Sequence, residues 1–205
     1  MQENIKRIKD CLSSNKFINY SLFIILSFLT PATLVGGLFG KYNPPNWWHS
    51  ISAAYYCNTK YLFIFLMTVI SILLICEKDF IYTIAGVSTA GLLFFPTYEK
   101  TLGISESLKV GILKMPLVDS GTIHIIFNTT LLICILVLLI DYIIKSKAYL
   151  SLLLFLPIIV SMTLVIIETK LHNGGNWSFH WSTIISEGIL FQTSGLIFLK
   201  RSTLK

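Results

Sequence analysis

The sequence predicts an all-α fold, a polytopic membrane protein built as a bundle of six transmembrane helices. Three observations carry this. Of 205 residues, 54% are hydrophobic and only 13% are charged. The mean hydropathy is +0.74, and a water-soluble globule of this size cannot hide so much apolar surface. The apolar residues form continuous runs close to the ~20 residues that a helix needs to cross a bilayer, where a β-barrel would alternate. The same arithmetic excludes disorder and nucleic-acid binding as main themes, since the chain is apolar and has no basic domain.

The elements follow in order. The basic segment 1–16 has Ile5, Ile8 and Leu12 at near-helical spacing among Lys and Arg. It reads either as a helix lying on the inner membrane surface or as a solvated tail. A membrane domain then occupies 17–200, with a short tail at 201–205. Span one is Phe17–Phe39, where Pro31 and Gly36-Gly37 predict a kink and close packing. Span two, Lys60–Cys76, and span three, Phe80–Pro96, are short. Only Glu77, Lys78 and Asp79 part them, which predicts an antiparallel hairpin. Span four is Gly121–Ile144, span five Tyr149–Glu168 and span six Trp181–Leu199. Pro157 predicts a second kink, in span five.

Lysine and arginine placement sets the orientation. The side that holds both termini carries Lys6, Arg7, Lys9, Lys16, Lys78, Lys145, Lys147, Lys200, Arg201 and Lys205. The other carries Lys41, Lys60, Lys100, Lys109, Lys114 and Lys170. Ten against six, with shorter loops on the richer side, predicts cytoplasmic termini; a composition short of acids and rich in Ile, Lys and Asn suits a bacterium, and so a bacterial inner membrane. The first run reads as an anchor and not as a cleavable signal. The net charge of +6 is then a topology signal plus attraction to anionic lipid. The expected partner is membrane lipid, with no nucleic acid; a homo-oligomer is a further option.

On this topology Cys11 and Cys76 are inside, Cys134 is within span four and Cys57 is outside. Scattered this way they read as small packing residues, not as a disulfide or a cysteine metal site.

The polar residues gather on the outer side. Ser50, Ser52, Tyr55 and Tyr56 follow the turn Pro44-Pro45-Asn46-Trp47-Trp48. Their segment reads as an interfacial or re-entrant element leading into span two. His124 opens span four, and Glu187 lies about 10 Å inside span six at 1.5 Å per residue. Burying such an acid at the centre costs about 2.5–3.5 kcal/mol on insertion scales, so it needs a partner, a proton or an interior-facing position. His180, Glu187 and Ser194 are spaced by seven and share one helix face. His124 is placed to reach Glu187 or Glu168. Each has a plainer reading: Glu187 as interhelical glue, His49 and His180 as interfacial anchors beside Trp, His172 as a solvated turn residue. Asn176-Trp177-Ser178 fits a glycosylation acceptor, a pattern too common to use. Asp141 and the inner lysines read as ordinary anchors.

Together these residues resemble a known family. A kinked first span is followed by Ser50-Ile51-Ser52-Ala53-Ala54-Tyr55-Tyr56, a short hairpin, Phe95-Pro96-Thr97, His124 and a late acid, Glu187. This resembles the uncharacterised bacterial six-helix membrane proteins grouped under domain of unknown function 998. In layout it is loosely similar to the DRAM/Sfk membrane families. Members often carry Arg after the Ser-Ile-Ser-Ala-Tyr-Tyr segment, where Lys60 stands here. The resemblance implies a fold and no reaction.

Three functions are in play. The first is a binding or sensing protein whose outer-leaflet pocket, lined by Ser50, Ser52, Tyr55, Tyr56, His124 and Glu187, takes a lipid or small amphiphile. The second is an intramembrane lipid hydrolase. Here His124, His180 and Glu187, with Asp119 or Glu168, are candidate metal ligands or bases, and Ser50 or Ser52 is a candidate nucleophile. No HxxxH, HExxH or GxSxG spacing supports it. The third is a transporter or pore with Glu187 relaying protons. Against it stand the lack of an inner polar partner and of an inverted repeat. Histidines are not paired at depth as two haem ligands would be, so the sequence names no cofactor.

Overall fold

The computed structural model describes residues 15–39, 60–77, 79–96, 109–110, 113–171 and 181–203. They form six α-helices: α1 (Asn15–Phe39), α2 (Lys60–Cys76), α3 (Phe80–Phe94), α4 (Leu117–Ser146), α5 (Phe155–Leu171) and α6 (Trp181–Arg201). Two short strands, β1 (Lys109–Val110) and β2 (Met115–Pro116), pair antiparallel just before α4. The fold is therefore all-α apart from this small hairpin. The helices coincide with the six apolar runs.

Three boundaries differ from the sequence reading, each for a local reason. Residues Tyr149–Leu154 form a 3-10 helix, and the α-helix begins at Phe155. Pro157 thus falls in the first turn, where its missing N–H removes no helical bond. Helix α4 starts four residues before Gly121, because Pro116 ends the strand pair and stands at its N-cap. It stops where Lys147 turns left-handed at φ 54°. Helix α6 continues to Arg201, so that residue closes the bundle instead of opening a tail. The N-terminal segment 1–14 and the Ser50–Tyr56 segment lie outside the described residues.

The α2–α3 hairpin is tight. The Asp79 carboxylate caps α3 by accepting from the Ile81 N–H at 2.8 Å. The Ser71 hydroxyl donates across to the Gly86 carbonyl at 2.8 Å. A Cβ at Gly86 would stand 2.9 Å from the Ser71 carbonyl oxygen. Only glycine admits this approach. Helix α1 packs on α2 and α6, α3 on α2 and α4, and α5 on α6, with α4 touching α6. The Ser161 and Ser186 hydroxyls stand 2.8 Å apart and each lies within hydrogen-bond distance of the other's backbone carbonyl; their two protons make two of these three contacts at a time and pin α5 to α6.

Leu22, Leu29, Leu74, Leu138, Leu139, Ile158 and Phe198 make a buried core. The outside of the bundle is apolar too: Ile24, Phe65, Ile125 and Ile159 are all more than half exposed. Among the described residues one segment, Thr122–Ser146, is long and apolar enough to cross a membrane by length and composition. Lys60–Cys76 and Phe80–Phe94 are apolar but shorter.

Candidate functional site

Two polar centres occupy opposite ends of the bundle. The first is built on the end of α3. Pro96 follows Phe95 and offers no N–H, so the helix stops and leaves terminal carbonyls without helical partners. Helix α4 supplies them. The Ser120 hydroxyl donates to the Pro96 carbonyl at 3.0 Å. His124 Nδ1 lies 2.7 Å from the Phe95 carbonyl oxygen. Ser120 and His124 are four apart and share one helix face. Below them the Phe95 and Phe127 rings stack, with centroids 5.7 Å apart and planes at 15°. The Phe127 ring lies against Gly91, where a Cβ would overlap it.

The bond to Phe95 fixes the histidine's chemistry. A carbonyl only accepts, so Nδ1 carries the proton; in the neutral ring Nε2 then keeps its lone pair. His124 is 6% exposed. It lines a cavity of about 70 Å3 together with Asn128, Glu187 and Ser194. The rest of the wall is apolar, with Phe63, Leu92 and Leu190 among it. A water needs roughly 10–15 Å3 of such space, so the cavity takes a few waters or one small polar group. His124 and Asn128 come from successive turns of α4, and Glu187 and Ser194 stand two turns apart on α6.

The candidate pocket residues are thus partly placed. His124 and Glu187 share one cavity, and Ser194 joins them as its spacing from Glu187 predicts. Ser50, Ser52, Tyr55, Tyr56 and His180 lie outside the described residues. Among the described residues no three His, Cys, Asp or Glu side chains gather as a metal site would need. Cys76 and Cys134 are both free thiols. The sequence reading did not single out Ser120 or Asn128, although the spacing Ser120, His124, Asn128 places all three on one face.

The second centre corrects a reading. Asp141 is not an ordinary anchor but one member of a polar network built on Arg201. The Arg201 side chain is only 9% exposed. Its Nε donates to the Tyr82 phenol oxygen at 2.9 Å. One terminal nitrogen donates to Asp141 at 2.7 Å and to the Leu138 carbonyl at 3.0 Å. The guanidinium carbon also lies 5.4 Å from the Tyr82 ring centre. Tyr82 donates onward to Asn19 at 2.8 Å, and Lys145 pairs with Asp141 from the exposed side. One charge thereby ties α1, α3, α4 and α6 together. Beside it, Glu77 closes the α2–α3 turn and is 8% exposed.

Between the two centres lies a second cavity of about 40 Å3. It shares Met67, Leu131, Ile135, Phe191 and Ser194 with the first. Phe198 lines its far side and rests on the Tyr82 ring, centroids 5.7 Å apart. No family model, curated protein or solved structure matches this chain.

Proposed function

We propose that this chain is an integral membrane protein of six spans whose cavity binds a lipid or small amphiphile by its polar group. One observation carries the reading. His124 and Glu187, from two helices far apart in sequence, line a single small cavity whose remaining wall is mostly apolar. Such a site is shaped to orient a ligand: apolar walls supply burial and a few polar groups supply direction. The Nε2 lone pair of His124 accepts hydrogen bonds, which favours a headgroup that donates them, a hydroxyl or an ammonium.

The membrane reading rests on the apolar outside of the bundle and on the six helices. Exposed Ile24, Phe65, Ile125 and Ile159 need hydrocarbon around them, not water. Helix α2, with 17 residues, is about 25 Å long at 1.5 Å per residue. It falls a few ångströms short of a ~30 Å hydrocarbon core, which local thinning and flanking residues accommodate. The Lys and Arg bias favours the Arg201 end as cytoplasmic, placing the His124 cavity in the outer leaflet of a bacterial plasma membrane.

Native mass spectrometry of the purified protein tests the reading. A tightly held amphiphile in defined stoichiometry supports it. A bare protein, or one carrying only loosely bound bulk lipid, overturns it. A hydrolase remains the alternative in chemical type, with His124 as base. Ser194, the hydroxyl in the same cavity, donates to the Leu190 carbonyl of its own helix and not to His124, so binding is the stronger conclusion.

A further inference from the structure

Glu77 stands apart from every other acid in the described chain. Its Oε2 is buried and has no hydrogen-bond partner among the described residues. Leaving a carboxylate oxygen in this state is costly. Among the described residues, charged and titratable groups face it from three directions. Arg201 reaches it from α6, Asp79 from the same turn, and Tyr82 from the start of α3. Behind these stand Asp141 and Lys145 of α4, which pair with each other, and Asn19 of α1, which accepts from Tyr82.

Among the described residues Arg201 is the cation that acts on Glu77, yet its donors are directed at Tyr82, Leu138 and Asp141. Glu77 therefore feels the charge of Arg201 without holding a bond from it. Two changes satisfy the orphaned oxygen. It takes a proton, or it takes Arg201 away from Asp141. A metal cation fits poorly beside the guanidinium, whereas a proton needs no space.

We propose that Glu77 is a proton-binding site that decides which carboxylate holds Arg201. Protonated, Glu77 leaves the guanidinium on Asp141 and Tyr82, as seen in the structure. Deprotonated, it draws Arg201 toward the α2–α3 turn, and the last turn of α6 moves with it. The proton comes from water at that end of the bundle and returns to it. It does not cross the bundle, because the 40 Å3 cavity has an almost wholly apolar wall. Its two hydroxyls, Thr89 and Ser194, already donate to their own helices. Burial pushes the Glu77 carboxyl up to about 7, with Asp79 adding to the rise and Arg201 opposing it. The exchange is thus poised near neutral pH. Helix α6 also carries Glu187 and Ser194, so the proton acts on a helix that lines the cavity.

The sequence provides a direct probe, since Arg7 and Arg201 are its only arginines. The full chain in lipid nanodiscs, labelled with nitrogen-15 arginine, is titrated from about pH 5 to about pH 9. Nuclear magnetic resonance follows the Arg201 Nε–H signal, and infrared difference spectra follow the carboxylic-acid carbonyl band. Both are expected to titrate together near pH 7. In Glu77→Gln the acid band disappears and the Arg201 signal stays at its low-pH position. In Asp141→Asn the freed Arg201 pairs with Glu77 and lowers the midpoint by about one pH unit, tenfold in proton affinity. An Arg201 signal that ignores pH in the unaltered chain overturns the proposal. So does an acid band that survives in Glu77→Gln, or a midpoint that Asp141→Asn leaves in place. No ligand is added to the His124 cavity, so this proposal and the binding reading fail separately.

Discussion

Arg201 and Tyr82, 119 positions apart in the chain, meet at 2.9 Å through a guanidinium-to-phenol hydrogen bond. The contact joins the end of the last helix to the start of the third. It predicts that Arg201 governs stability more than any other charge. Removing one partner of a buried charged network typically costs about 3–5 kcal/mol. Arg201→Ala is expected in that range by reversible denaturation in detergent. Arg201→Lys recovers only part of it, because an ammonium cannot bond Tyr82, Leu138 and Asp141 in the guanidinium's geometry. Equal stability of Arg201→Lys and the unaltered chain would count against the network.

Close packing in the α2–α3 hairpin makes a second prediction. An added methyl at Gly86 meets the Ser71 carbonyl at 2.9 Å and an Ile75 side-chain carbon at 2.6 Å. The isoleucine can turn away, but the carbonyl belongs to the backbone. Gly86→Ala is expected to cost about 1–3 kcal/mol by overpacking, read as a lower unfolding midpoint. The same change at Gly195, whose nearest neighbour would be 3.5 Å away, is expected to be close to neutral.

The Ser161–Ser186 pair tests polar glue between helices. Its two hydroxyl protons are shared among the facing hydroxyl and the two facing carbonyls. Measured couplings of this kind in a membrane bundle average about 0.6 kcal/mol and reach about 1.7. A double-mutant cycle with alanine at both positions is expected to return a coupling in that range. Additive single effects would show that the hydroxyls act independently.

Glu77 makes stability depend on pH, and the sign can be worked out. Its carboxyl sits near 7 in the folded chain against an ordinary 4.5. The folded state therefore binds more protons between those values, and stability falls as pH rises through them. Its contribution is fully present below about 4.5 and gone above about 7. Glu77→Gln is expected to flatten this slope, measured as unfolding midpoints across the same range. An unchanged slope would place the titration elsewhere.

The helices were legible because a long apolar run is a local signal, contained in each stretch of sequence by itself. His124 and Glu187 were legible as a pair because ionisable groups inside apolar runs are conspicuous. The Arg201 network was not. Asn19, Tyr82, Asp141 and Arg201 each look ordinary, a polar residue or a cation near a helix end. Only alternating helix direction brings them to one end of the bundle, and no local pattern marks which of them touch. Pro157 shows the converse error. A proline inside an apolar run reads as a kink until the 3-10 turn before it puts the helix start at Phe155.

The central claim is that the His124 cavity holds an amphiphile, and His124→Asn tests it most directly. Asparagine keeps an N–H donor to cap the Phe95 carbonyl but removes the imidazole Nε2 acceptor. Native mass spectrometry of both forms, purified alike, compares the bound amphiphile at matched unfolding midpoints. The account predicts at least about a tenfold loss of affinity, or ~1.4 kcal/mol, with the fold intact. The same amphiphile held equally by both forms would contradict it.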